Sequence, residues 1–230
     1  MISTATGCAV LDRVAVRNAV ISLYDKVGLD AFVRSLSTLA NPLVCFSTGG
    51  TLQELQRLFA RLDEGNPLFL RSIEEHTGYP EMPGGLVKTL HPRIHGGLLS
   101  ESGDEAQEAH LREQGMCPFD LLAVNLYPFE RTVARSGATL EEARRQVDIG
   151  GVAMLRAGAK NFLRVAVLCD PNDYPLVARE LLENDGTIGF STRWRLAQKA
   201  FRYVQDYDRA ISDHFASIPL EVARSQYHVR

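Results

Sequence analysis

Four segments of this chain hold side chains able to do chemistry. In Val87-Lys88-Thr89-Leu90-His91-Pro92, Lys88 lies in a glycine-flanked stretch. An ammonium there can neutralise a developing oxyanion; in a less confined loop it is a solvated charge. His91 and His95 are four positions apart, a spacing that suits a metal on a helix. Pro92 and the flanking glycines argue against a regular helix, and no third ligand is near, so no metal is expected. Asn125-Leu126-Tyr127-Pro128-Phe129 closes an apolar run. Asn125 can hydrogen-bond a base or an amide and Tyr127 can give up a proton, unless the segment is only a strand end capped by a packed aromatic. In Asp148-Ile149-Gly150-Gly151, Asp148 can cap a helix while accepting a ligand N–H. Lys160 follows twelve positions later, about 18 Å away on an unbroken helix, so the two meet one small ligand only if a glycine breaks that helix.

Two further segments suit an anion. Ser22-Leu23-Tyr24-Asp25-Lys26 and Ser47-Thr48-Gly49-Gly50-Thr51 each follow an apolar run and precede a helical stripe. Glycines let backbone N–H groups approach a phosphate, and a helix N-terminus adds a favourable dipole. Lys26 supplies countercharge. The plainer alternative is a pair of ordinary turns, with Thr51 as an N-cap.

The elements that must position these residues alternate. Ala19 to Leu23 reads as a buried strand, and Leu29, Phe32, Val33, Leu36 and Leu39 repeat at helical spacing. Leu43 to Phe46 is a second strand, followed by a stripe of Leu52, Leu55, Leu58 and Phe59, then a third strand over Leu68–Leu70. Strands are expected again over 120–126 and 165–169, and helices over 139–147, 174–182 and about 192–215. The helix at Thr139 opens with a capping box, since Glu142 stands three residues on. Such alternation predicts an α/β fold with a parallel sheet and crossover helices. Residues 1–17 are expected to form a poorly ordered leader, residues 18–230 a single domain ending in a long helix, and residues 74–100 an aperiodic loop that is functional or disordered.

Composition excludes several classes. Of 230 residues, 45% are hydrophobic and 23% charged, as in an ordinary globular protein. A net charge of −3 gives no general attraction to nucleic acid or to an anionic membrane, so neither is expected as a partner. No run of about 18 apolar residues and no secretory N-terminus is read. Cys8, Cys45, Cys117 and Cys169 are scattered without a ligand pattern, which suits reduced thiols and a cytoplasmic setting.

Taken together, the segments around Lys88, Asn125 and Asp148, with Ala159-Lys160-Asn161 and Ala210-Ile211-Ser212-Asp213, resemble one family from Asn18 to Phe215. It is the inosine monophosphate cyclohydrolase domain of the bifunctional purine biosynthesis protein. The resemblance implies a methylglyoxal-synthase-like three-layer sandwich with a central, mostly parallel sheet. It also implies dehydrative closure of a formamido-imidazole-carboxamide ribotide to inosine monophosphate, without a cofactor. The transformylase domain that follows in that family is not expected here; a separate transformylase and a homodimer are the partners implied, with the purine ribotide as small-molecule ligand.

By resemblance, the phosphate and ribose lie near Ser22, Tyr24, Asp25 and Lys26, and near Thr48, Gly49, Gly50 and Thr51. The base lies against Leu86, Val87 and Thr89, against Val124 and Asn125, and against Ile149 and Gly150. Lys160 takes the place of the proton-transfer lysine, and Lys88, Tyr127 and Asp148 those of the other catalytic residues. Three positions depart from the family pattern: Tyr24 and Thr48 stand where it has Ser, and Leu86 where it has Arg. Tyr24 adds bulk at the phosphate and Leu86 removes a cation at the base. Those changes keep two other readings open, a non-catalytic ribotide-binding module and a methylglyoxal-synthase-like enzyme acting on another phosphorylated substrate.

Overall fold

The computed structural model of this chain describes residues 10–82 and 86–227. Five parallel strands form its centre in the order β4-β3-β2-β5-β6: β2 (Asn18–Leu23), β3 (Leu43–Ser47), β4 (Leu68–Ser72), β5 (Leu121–Asn125) and β6 (Ala166–Leu168). Strands β2 and β5 are buried along nearly their whole length, as strands covered on both faces by crossover helices must be. One helical layer holds α1 (Leu29–Leu36), α2 (Gly49–Phe59) and α9 (Tyr174–Glu183). The other holds α4 (Pro92–Leu99), α8 (Gly150–Lys160) and the 27-residue α10 (Phe190–Ala216). The parallel sheet and crossover helices are those expected from the alternating pattern, and the three layers are the sandwich that the resemblance implied.

Local chemistry explains the elements. In α1, Leu29, Phe32, Val33 and Leu36 form one buried stripe at helical spacing, with Asp30 and Arg34 paired on the wet face. The capping box at Thr139 forms as read, and opens α7 (Leu140–Arg145). Short helices α3 (Ile73–Thr77), α5 (Glu105–Glu113), α6 (Phe129–Val133) and α11 (Leu220–Ser225) complete the layers.

Four readings of the sequence need correction. Residues 74–100 are not one loop, because α3 and α4 lie within them. Pro92 starts α4 rather than breaking it: it occupies the first turn, where its missing N–H costs nothing, and the His91 ring caps Arg93 N. Gly97 sits in α4 because a Cβ there would overlap the Cys117 carbonyl and press on Phe119. The expected leader also contains structure: β1 (Arg13–Ala15) pairs antiparallel with β7 (Thr187–Gly189). Residues 1–9 of that leader lie outside the described residues. Finally, α2 begins at Gly49 with Thr48 as its N-cap, so Thr51 is not the cap.

Arg193 ties the N-terminal strand to the sandwich. Its side chain is fully buried, and its guanidinium donates to five carbonyls: Leu11, Asp12, Phe162, Leu163 and Ile188. Backbone oxygens take all of these hydrogen bonds, and the guanidinium carbon lies 5.8 Å from the centroid of the Phe190 ring. Arg193→Leu is expected to cost about 3 kcal/mol or more, because those carbonyls lose their donors together. Arg193→Lys should not restore this, since a compact ammonium cannot span the fork. Urea unfolding measures both; a Lys variant within about 1 kcal/mol of wild type would show that the planar geometry is dispensable.

Candidate active site

The register of the sheet brings the site together. Leu23 lies opposite Asn125, and Ser22 opposite Val124, so β2 and β5 end at the same level. Ligands in open α/β sheets sit beyond these carboxyl ends. Here a cleft of about 520 Å³ opens there. It gathers Ser22, Tyr24 and Lys26 after β2, then Thr48, Gly49, Gly50 and Thr51 after β3. Leu86, Lys88 and Thr89 come from the 86–91 segment, Val124, Asn125 and Tyr127 from β5 and its end, and Asp148, Ile149 and Gly150 from the start of α8.

The floor of the cleft is an anion cradle. Helix α2 has no side-chain cap, and the Thr48 hydroxyl is buried without a hydrogen-bond partner. The first N–H groups of α2 and that hydroxyl are therefore donors left for a ligand. Gly49 adopts φ +54°, and a Cβ placed on it would come within 3.0 Å of Lys88 Nζ. A Cβ on Gly50 would stand 4.0 Å from Lys26 Nζ. Two ammonium groups thus flank a helix N-terminus that only glycine leaves open. Lys26 Nζ is steadied by the Leu23 and Tyr24 carbonyls, and Lys88 Nζ by Glu81 at 2.7 Å. Thr51 has another task, bonding the backbone of Leu23 and so pinning α2 to β2.

The wall opposite is built around Asp148. Its carboxylate accepts from Gly151 N at 2.7 Å, capping α8 from just outside the helix. Gly151 is required for this: a Cβ would stand 2.7 Å from both Asp148 Oδ2 and Leu126. Burial raises the Asp148 pKa above the ordinary carboxylate value, against the opposing pull of backbone hydrogen bonds from Gly151 and Tyr127. Gly150 likewise lets Thr89 Oγ1 approach, within 2.8 Å of where a Cβ would be. The Tyr127 ring meets Tyr24 edge-on at 5.6 Å, and both are partly exposed at the rim with Leu86 and Ile149.

Not every expected residue takes the place foreseen. Asn125 does not offer its amide freely to a ligand. Its carbonyl oxygen accepts from Tyr24 N and Asp25 N, and its NH2 donates to the Asp25 carbonyl. It acts as a latch on the β2 loop. Asp25 turns to an adjoining hollow of about 470 Å³, beyond the Tyr24–Tyr127 pair, and accepts from Val27 N. Val87 is half-buried and does not line the cleft. Lys160 is the largest departure. Helix α8 runs unbroken from Gly150 to Lys160, so glycine does not fold it back, and about 15 Å of axis separates its two ends. Lys160 is exposed at the far end and lines no part of the cleft. Conversely Arg145, Gln146 and Met154 line it, and Glu81 holds Lys88, without any motif having marked them.

An α/β sandwich with glycines, two lysines and a half-buried carboxylate gathered in a cleft at its strand ends has the form of a small-molecule site. Comparison with known proteins gives the family. Residues 158–229 match the model of the AICARFT/IMPCHase bienzyme family. The chain is 41% identical over 211 residues to the bifunctional purine biosynthesis protein PurH of Neisseria gonorrhoeae, covering 92% of this chain and 38% of that protein. To PurH of Xanthomonas campestris pv. campestris it is 44% identical over 207 residues, 90% of this chain and 37% of the relative. Among solved structures, ForH superposes with a TM-score of 0.71 at 31% identity, over 87% of this chain and all of ForH. The chain belongs to the AICARFT/IMPCHase family and spans well under half the length of its PurH relatives.

The Asn125 latch is open to test. Asn125→Ala removes three hydrogen bonds to the Tyr24–Asp25 backbone and is expected to destabilise the fold by about 1–3 kcal/mol. Asn125→Asp keeps the acceptors but loses the donor to Asp25, and should fall between. Denaturant midpoints at constant m-value measure this; an Ala variant as stable as wild type would show that the loop needs no latch.

Proposed function

We propose that this chain is an inosine monophosphate cyclohydrolase, closing 5-formamidoimidazole-4-carboxamide ribotide to inosine monophosphate with loss of water in purine biosynthesis. The observation that carries the reading is the convergence of Lys88, Tyr127 and Asp148 on one cleft beside the uncapped N-terminus of α2. The ribotide phosphate occupies that N-terminus, with Lys26 and the Thr48 hydroxyl. The base lies toward Leu86, Thr89 and Ile149.

Both reacting groups sit on one imidazole ring, so proximity is already supplied. The carboxamide nitrogen attacks the formyl carbon, and a tetrahedral carbinolamine forms. Asp148 takes the nitrogen's proton; its raised pKa makes it a better base than a free carboxylate. Lys88 and nearby backbone N–H groups stabilise the oxyanion that develops on the formyl oxygen. Asp148 returns its proton to that oxygen, and the resulting hydroxyl leaves as water with a second proton from Tyr127, while the formamido nitrogen gives its remaining proton back to the tyrosinate as the ring C=N bond forms. Lys160 touches no atom in the cleft of its own chain, so these steps are assigned without it. The non-catalytic reading is less well supported, since a binder has no use for a half-buried carboxylate of raised pKa and a lysine lining the same cleft.

We further propose a cytoplasmic homodimer. Trp194, Phe201, Phe215, Leu220 and Val222 are exposed apolar residues of α10 and α11 and give a second copy apolar surface to cover. The burial of Cys45 and Cys169, whose thiols are pushed up to about 12, suits unreactive, reduced cysteines. Among the described residues no helix is long and apolar enough to cross a membrane. A single monomeric species in sedimentation at micromolar concentration would refute the dimer.

Ultraviolet detection of ring closure from the formamido ribotide tests the activity. Lys88→Met is expected to lower turnover about 10²–10³-fold. Asp148→Asn should lower it about 10²–10⁴-fold. The wild-type rate should fall on the acid side, because Asp148 must be ionised to act as base. That limb should lie above the usual carboxylate range, since burial raises this group. A chain that binds the monophosphate yet closes no ring would leave only the binding-module reading. Equal affinity for inosine and its monophosphate would remove the phosphate cradle.

A further inference from the structure

We propose that Tyr203 and Tyr207 are positioning residues of the site, their hydroxyls setting from one face of α10 where Tyr127 and Asp148 stand in the cleft. The two residues are four positions apart on the long helix, so their rings lie one turn from each other on the same side. The Tyr207 hydroxyl donates to the Gln146 carbonyl at 2.7 Å and accepts from Asp148 N at 2.9 Å. It bridges the chain on either side of Val147, between the end of α7 and the start of α8. The Tyr203 hydroxyl accepts from Leu126 N at 3.1 Å, one residue before Tyr127.

These contacts do not follow from core packing. Phenylalanine rings would fill the same space, yet each hydroxyl makes its hydrogen bonds only to a site-bearing loop. The loops come from opposite ends of sequence segments that no strand joins: one leaves β5, the other precedes α8. Helix α10 packs against α8 and β6 and gives both a common reference. The tie is closed on the other side by the Asp148 carboxylate, which accepts from Gly151 N at 2.7 Å. A general base must be held within a few tenths of an ångström to be effective, and hydrogen bonds from fixed elements do this. Burial pushes both phenols upward, so they stay neutral and keep their hydrogen atoms wherever the enzyme works.

The inference rests on the cyclohydrolase reading for its rate consequences but not for its geometry. In the full chain, Tyr207→Phe is expected to lower kcat about tenfold with KM within about threefold, because binding donors are elsewhere. The acid limb of its pH profile should move, since Asp148 is no longer held at the same depth. The decisive measurement is a cycle with Asp148→Asn. If Tyr207 acts through Asp148, adding Tyr207→Phe to Asp148→Asn should lower the remaining rate by less than about twofold. A full tenfold loss in both backgrounds, or no loss in a folded Tyr207→Phe, would overturn the proposal. Tyr203→Phe, paired with Tyr127→Phe, repeats the cycle for the other loop and decides the matter if Tyr207→Phe does not fold. Should the wild-type chain close no ring, the cyclohydrolase reading fails by itself, and amide hydrogen exchange then judges this inference separately. Exchange accelerated selectively at Asp148 in Tyr207→Phe and at Leu126 in Tyr203→Phe supports it; unchanged exchange at both sinks it.

Discussion

The parallel pairing of β2 between β3 and β5 is the constraint on which the rest of the site depends. Parallel strands in register deliver their following loops to one edge. That places the loops that begin at Tyr24 and Thr48 side by side, next to buried Val124. Asn125, opposite Leu23, fastens the Tyr24–Asp25 turn by matching three backbone groups with one amide, and Thr51 joins α2 to the end of β2. The cradle is therefore part of the sheet's own hydrogen-bond pattern, continued by side chains past the point where the strands stop.

Much of this was legible in the sequence, for an identifiable reason. Buried parallel strands read as short apolar runs, and amphipathic helices such as α1 repeat at helical spacing, so the layered order follows from hydrophobic pattern alone. The capping box at Thr139 is a local signature and formed as read. Strands β1 and β7 were not legible: three residues each are too few for a period, and they exist because Arg193 and the α9–α10 connection hold them. Helix α4 was hidden by its own Pro and Gly residues. Proline at a first turn and glycine at a close crossing both look like breakers when the neighbours are unknown.

The site was legible where chemistry sits in short motifs and illegible where it comes from distant contacts. Lys88, Tyr127 and Asp148 converge because each occupies a loop at a strand or helix end. Lys160 fails the same geometric condition that the spacing raised: an eleven-residue helix with no break sets it beyond reach. Glu81, Tyr203 and Tyr207 have ordinary local surroundings in the sequence. Only the folded arrangement shows that one carboxylate steadies Lys88 and that two phenols support the opposite wall.

Electrostatics explains why the cradle must be local. A chain with a net charge of −3 does not draw an anion by its overall field, so the attraction has to be concentrated within a few ångströms. Two lysines at a helix N-terminus do that, but two free ammonium groups side by side would repel one another. Each is therefore held by oxygen: Lys26 by neutral carbonyls, Lys88 by the carboxylate of Glu81. The difference matters. Carbonyl partners leave the charge of Lys26 intact for a permanent phosphate contact. A carboxylate partner neutralises Lys88 until a stronger or closer anion competes for it. The Lys88–Glu81 pair is about a quarter to a third exposed, so water can replace either partner at modest cost. Lys88 is thus suited to a charge that develops during reaction rather than one present from the start. In the proposed ring closure, Asp148, its pKa raised by burial, takes up the proton whose departure creates that charge.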